Sequence, residues 1–226
     1  MIGALTGLIL LIRPTNVAFI LCVPFIVAWL RSHTLIDLIK TISIEDLMLI
    51  AAAALLVWAP QLWYWDLSYG SPFTWPYTGE SFSRATDPEL IKFWFSTNNG
   101  AFLYAPILIL ILTAAVIAWR DGARYLTVAT LGSFALVSLA GASWWVWHFG
   151  CGFGSRTLAE YMAVFVFPLA FGLESFRDVR IKRIATIIVG ICAVAVVKMV
   201  YSYGGCWFYG DWNWTAFKLL LFGPTK

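Results

Sequence analysis

The stretch IATIIVGICAVAVVKMVYSY (Ile184–Tyr203) holds one charged side chain, Lys198, in twenty residues. As a helix it would rise roughly 30 Å, the thickness of a bilayer's hydrocarbon core. Lys198 sits about five residues from the outer end, where its long stem can carry the ammonium to the headgroups, so the run stays intact. Segments 46–65, 101–119 and 123–146 have the same character, and 157–176 joins them if Glu160 and Glu174 lie near its two ends. Runs of this length exclude a transmembrane barrel, whose strands would be about ten residues of alternating polarity.

Composition agrees. Hydrophobic residues are 61% of the chain and charged residues 12%, against roughly 45–50% and about 25% in a soluble domain. So few charges cannot cover that much apolar surface, which excludes a soluble domain. Before the first long run, Gly3–Ile12 is apolar, RPTN (Arg13–Asn16) interrupts, and Val17–Leu30 is apolar again. Pro14 suits the first turn of a helix, so 14–31 reads as a short span of roughly 27 Å, and 1–12 as half a span of roughly 18 Å. No basic n-region or small-residue cleavage site marks a signal peptide. The expectation is a chain that begins inside a membrane helix, as an incomplete C-terminal part of a longer protein would. The fold expected is an all-α integral membrane protein: one domain over 1–226, a helical bundle of about six membrane helices plus short interfacial helices.

Basic loops face the cytoplasm. Loops 31–45, 120–124 and 177–183 hold Arg31, Lys40, Arg120, Arg124, Arg177, Arg180, Lys182 and Arg183, whereas the intervening loops hold Arg13, Arg84, Lys92 and Arg156. The second set therefore faces outward, and a bacterial inner membrane is the expected location. The aromatics collect on that outward side, in QLWYWDLSYGSPFTWPYTGESFSR (Gln61–Arg84), WWVWHFGCGFGSRTLAEY (Trp144–Tyr161) and YSYGGCWFYGDWNW (Tyr201–Trp214). Belts alone would be symmetric, so the asymmetry points to a built extracytoplasmic surface. The loop 66–100 reads as structured, with GSP and WPY as turns and Asp87-Pro88 starting an interfacial helix at 88–96. That helix would dip Phe93, Trp94 and Phe95 into lipid, and the tail 216–221 would rest at the interface.

The polar residues are weighed one by one. Thr157-Leu-Ala-Glu160 matches a capping box; alternatively Glu160 is an acid at the mouth of the bundle, paired with Arg156 four residues earlier. Arg156 follows the glycines of GCGFGS at a helix start, a setting for a phosphate grip; a salt bridge and a headgroup contact are the other readings. His148 reads as an interface residue or as a proton carrier near phosphate. No histidine or cysteine spacing supports a transition-metal site, whereas a divalent cation held by carboxylates and phosphate would use Asp66 and Glu80. Cys22 and Cys192 read as packing residues in helices. Cys151 and Cys206 fall in outward loops, where oxidation is permitted, and are the candidate disulfide.

The ordered motifs LILLIRPTN, YGSPFTWPY, STNNGAFLYAPILIL and WHFGCGFGSRTLAEY resemble, over roughly residues 1–175, the C-terminal half of polytopic C-type glycosyltransferases of the protein-mannosyltransferase-like kind. The resemblance implies an extracytoplasmic active site and inverting transfer of a sugar from a polyprenyl-phosphate donor to an acceptor. Such transfer needs a carboxylate to activate the acceptor and cations to stabilise the departing phosphate. The family's acid lies in a first outer loop that no residue here matches, so the catalytic residue is unassigned. What remains would hold the donor: Arg156, Arg13 and His148 toward phosphate, with Tyr69, Trp144 and Trp147 stacking on sugar or isoprene. The other readings are a non-catalytic polyprenyl-lipid-binding protein, or a subunit completed by an N-terminal half or a partner, and a transporter. A transporter is disfavoured, since no inverted repeat and no mid-membrane charge is present. Nucleic acid is not an expected partner.

Overall fold

The computed structural model describes residues 1–75, 79–206 and 209–224; Pro76 and Tyr77 of the expected WPY turn lie outside them. Every regular element among the described residues is helical, and the chain divides into two compact units, Met1–Ser81 and Phe82–Lys226.

In the first unit α1 (Ile2–Ile12) ends where Arg13 turns extended, and Pro14–Asn16 form a 3-10 turn leading into α2 (Val17–Arg31). Pro14 opens this turn because its missing N–H is one that a helix start leaves unpaired anyway. After a short α3 (Leu35–Lys40), α4 (Ile44–Tyr69) begins at a capping box between Ser43 and Asp46 and ends at Gly70, φ 71°. Helix α1 packs along α4 through its glycines. A Cβ on Gly3 would stand 2.8 Å from the Cβ of Ala53, and one on Gly7 would stand 2.9 Å from the Cα of Ala54. Small residues on both sides let the backbones approach, which is how helices associate when burial from water cannot drive them. The Trp58 indole donates to the Gly7 carbonyl at 3.1 Å. Because Gly3 meets Ile50–Ala53 and Gly7 meets Ala54–Val57, the two helices run parallel, bringing Arg13 and the last turns of α4 to the same end. Gly7→Leu should overpack this seam and lower stability by about 2 kcal/mol, read as a loss of melting temperature in detergent; an unchanged melt would contradict the seam.

In the second unit α5 (Leu90–Phe95) and α6 (Ala101–Tyr104) precede α7 (Ile107–Arg120) and α8 (Arg124–Ser143). Then come α9 (Arg156–Ala159), α10 (Met162–Ser175), α11 (Val179–Ser202) and α12 (Trp214–Phe222). Helix α8 is the central one, with many of its residues buried. The Thr127 hydroxyl crosses to the Ala115 carbonyl of α7 at 2.7 Å, and Thr130 bonds back to Leu126 at 2.9 Å, so its buried hydroxyls are satisfied. Gly172 of α10 faces Ala114 of α7, where an added Cβ would meet that of Ala114 at 2.6 Å.

Among the described residues, four helical stretches are long and apolar enough to cross a membrane: Pro14–Arg31, α4, α8 and α11. The other two expected spans are each split. Segment 101–119 breaks at Ala105 (φ −137°, ψ 69°), because Pro106 excludes the residue before it from helical geometry. This leaves α7 at 14 residues, roughly 21 Å. Segment 157–176 tightens at Tyr161, whose N–H bonds Leu158 three residues back at 3.1 Å, leaving α10 at 14 residues.

Four local expectations are corrected. The helix expected at 88–96 starts at Leu90 with Glu89, not Asp87, preceding it. Two of its three aromatics dock on α8, with Phe93 1% exposed against Gly141 and the Trp94 indole donating to Ser138 at 3.0 Å, while Phe95 stays exposed. Thr157 lies inside α9, after Ser155, and Glu160 ends that helix, so the expected capping box has no helix to cap. The tail is not laid loosely on the interface. Phe217 and Leu220 of α12 bury against Tyr104 and Met199, and the Lys198 ammonium donates to Ser202 Oγ (2.8 Å), Leu220 O (3.0 Å) and Gly223 O (2.6 Å). Lys198 thus closes the C-terminal end of α12, where free carbonyls and the helix dipole favour a cation, instead of reaching for headgroups.

Candidate functional site

The string Ser96-Thr97-Asn98-Asn99 follows α5 with four uncharged polar side chains, and all four are buried. Burial of polar groups requires partners, and these come from two distant loops. Asp211 supplies one set: its carbonyl accepts from Ser96 Oγ (2.6 Å), Thr97 N–H (2.9 Å) and Thr97 Oγ1 (3.1 Å), and its carboxylate accepts from Asn98 Nδ2 (3.4 Å). The loop 148–154 supplies the other. Asn99 Nδ2 donates to the carbonyls of Gly152 (2.7 Å) and His148 (3.1 Å), while its Oδ1 accepts the Gly154 N–H at 3.0 Å. Two carbonyls on one side and an N–H on the other fix which way the amide points. Asn99 takes φ 63°, a left-handed conformation that asparagine tolerates better than most residues.

Around this hub the loop closes tightly. The Tyr203 hydroxyl, at the end of α11, donates to the Gly152 carbonyl at 3.1 Å. Tyr104 reaches the Thr97 carbonyl at 2.8 Å and packs edge-on to Phe153. Gly154 (φ 63°) must be a glycine for both conformation and space, since a Cβ would meet that of Tyr104 at 3.1 Å. Cys151 and Cys206 form a disulfide, Cα atoms 4.1 Å apart, tying this loop to the segment beyond α11. Peptide mapping without reductant should return the Cys151 and Cys206 peptides linked; two freely alkylated thiols in native membranes would contradict the pairing.

Arg156 stands at the surface of this platform. Its Nη2 donates to the Phe149 carbonyl at 2.6 Å, and its Nε lies so close to Gly152 that a Cβ there would be 2.5 Å away. Burial raises the Tyr203 phenol above its ordinary value, with its hydrogen bond to Asn99 and the Arg156 charge opposing. The three groups therefore form one local electrostatic unit. Tyr203 and Cys206 also line a cavity of about 790 Å³, together with Tyr209, Asn213, Ala216 and Leu219. A lining of this mixed kind suits an amphiphile.

The remaining sequence-chosen residues are placed as follows. His148 lies in the same loop, with Nδ1 buried and no hydrogen-bond partner described for it. Trp144 stacks on Phe149 and meets Phe82 edge-on. Trp147 is 5% exposed and edge-on to His148, so it is part of the wall and offers no open face to a sugar. Glu160 follows, partly buried, at the end of α9. Arg13 and Tyr69 belong to the first unit, where Tyr69 is exposed at the end of α4. Asp66 lies in the same helix, and among the described residues no three His, Cys, Asp or Glu side chains gather as a metal site. The carboxylates of the second unit's ion-pair network are engaged: Glu89 bonds Arg84 (2.7 Å) and Lys92 (3.1 Å), and Lys92 also faces Asp211 at 3.5 Å. The hydrogen bond that Lys92 donates to the Glu89 carboxylate is the chief reason its amine is held above its usual range.

Asn98, Asn99 and Tyr104 fall within the motif STNNGAFLYAPILIL, and Tyr203 and Asp211 within the outward stretch Tyr201–Trp214, but none of the five was read as a site residue. The signal available was STNNG itself, a run of amides directly before an apolar helix. In comparisons with protein-family models, curated proteins and solved structures, the chain matches none.

Proposed function

We propose that this chain is the donor-lipid-binding part of a membrane glycosyltransferase, one that holds a polyprenyl-phosphate sugar at the extracytoplasmic face. The observation that carries the reading is the exposed Arg156 guanidinium, fixed by the Phe149 carbonyl on a disulfide-tied platform whose Tyr203 and Cys206 line a cavity of mixed polar and apolar residues. Arginine's planar fork suits phosphate oxygens, the cavity's polar groups suit a sugar, and its apolar ones suit the first isoprene units.

The orientation belongs to the same proposal. With α6–α7 and α9–α10 each completing one crossing, the chain alternates so that the loops after α2, α7 and α10 share one side. Those loops carry Arg31, Lys40, Arg120, Arg124, Arg177, Arg180, Lys182 and Arg183, an excess of basic residues that supports reading them as the cytoplasmic loops of a bacterial inner-membrane protein. The parallel course of α1 and α4 is what this alternation requires.

The test is sugar release from a radiolabelled polyprenyl-phosphate sugar in native membranes. Arg156→Ala should lower it by at least tenfold, about 1.4 kcal/mol, and Arg156→Lys should also be impaired because the bidentate geometry is lost. Transfer unchanged by both substitutions would refute the assignment. A second reading, lipid binding without catalysis, is favoured by the pairing of Glu89 and Asp211 with cations, which leaves neither free to act as a base. Under that reading donor lipid is retained and no sugar is released.

A further inference from the structure

At the opposite end of the second unit, α7 and α8 leave an apolar groove of about 380 Å³. Val116, Trp119 and Arg120 line it from α7, and Thr127, Val128, Leu131 and Gly132 from α8. Gly132 leaves the groove open, because a Cβ added there would meet nothing within 4 Å. The guanidinium of Arg124 lies 5.7 Å from the centre of the Trp119 ring, so a second arginine joins the Trp119 and Arg120 that line the groove. Asp121 is the one acid in the intervening turn, Asp121-Gly122-Ala123, and two arginines outweigh it.

We infer that this groove is a binding site for an anionic phospholipid, with one acyl chain along Val116, Val128, Leu131 and Gly132 and the phosphate between Arg120 and Arg124. Charge decides the occupant. A purely apolar groove would accept any acyl chain, but a pair of arginines beside an interfacial tryptophan selects a headgroup with net negative charge. A zwitterionic lipid brings its own cation close to the same arginines and gains less. The site is separate from the outer platform, and its charge selectivity does not depend on the donor-lipid reading.

The experiment uses the full chain purified in detergent, incubated with equal amounts of phosphatidylglycerol and phosphatidylcholine of identical acyl chains, with retained lipid counted by native mass spectrometry. The wild type should retain phosphatidylglycerol over phosphatidylcholine by roughly tenfold, two basic side chains each contributing a several-fold preference. Arg120→Gln with Arg124→Gln should bring that ratio close to one while lipid is still retained. Gly132→Phe should fill the groove and remove one retained lipid of either kind. It points into open space, so its melting temperature should match the wild type and report that the fold is intact. Equal retention of the two lipids by the wild type, or full retention by a normally folded Gly132→Phe, would overturn the proposal.

Discussion

Asn99→Leu should cost on the order of 5 kcal/mol, the largest effect of any single substitution outside the membrane-spanning helices. The Asn99 side chain is the partner of the His148 and Gly152 carbonyls and of the Gly154 N–H, and of the three the Gly152 carbonyl would keep the Tyr203 hydroxyl. Each buried group left unsatisfied costs about 1–3 kcal/mol, and a leucine at φ 63° adds roughly 1 kcal/mol of backbone strain. The two parts separate experimentally. Asn99→Gly removes the side-chain bonds but accepts the backbone, so it should be less damaging than Asn99→Ala by about 1 kcal/mol. Thermal unfolding in detergent, followed by loss of helical signal, measures both. If Asn99→Leu melted within a degree of the wild type, the loop 148–154 would not be organised by this amide.

Lys198→Met should destabilise by about 3 kcal/mol and release α12. Methionine fits the apolar helix better than lysine does, and by hydropathy alone the change should stabilise the span. The structure reverses the sign. The ammonium is held by three oxygens, two of them carbonyls at the end of α12, and hydrogen bonds to a charged group contribute about 1.5–3 kcal/mol each before the cost of burying the charge is deducted. Without Lys198 the Leu220 and Gly223 carbonyls lose their partner, and the Phe217–Leu220 face loses its anchor on α11. Limited proteolysis at the C-terminal segment reads the release directly. A Lys198→Met protein as resistant as the wild type would show that packing of Phe217 and Leu220 holds α12 by itself.

These two residues show what the sequence displays and what it hides. The long apolar runs of α4, α8 and α11 were legible because a bilayer demands length and apolarity, and both are local properties. The breaks at Ala105 and Tyr161 were not, because a hydropathy window counts Pro106 and Tyr161 without registering what they do to the hydrogen-bond ladder. Lys198 was legible as a charge near the end of an apolar run, and snorkelling was the economical reading. Its acceptors lie 22 and 25 residues onward, past a loop whose fold no local rule gives. Arg156 and His148 drew attention because they are charged or titratable among tryptophans. Asn99 organises the same loop across 53 residues to Gly152, yet an asparagine pair before a glycine reads as an ordinary exposed turn. Cys151 and Cys206 were recognisable together because both fall in loops that the distribution of basic residues groups on one side, the side expected to be oxidising.

The most direct measurement is equilibrium binding of a polyprenyl phosphate and of the matching polyprenol, lacking phosphate, to the purified chain in nanodiscs, for wild type and Arg156→Gln. The wild type should bind the phosphate form at least tenfold more tightly than the alcohol, and Arg156→Gln should erase that difference while leaving polyprenol binding unchanged. Equal binding of the two lipids by the wild type, or a phosphate preference that survives Arg156→Gln, would contradict a lipid-phosphate site at Arg156.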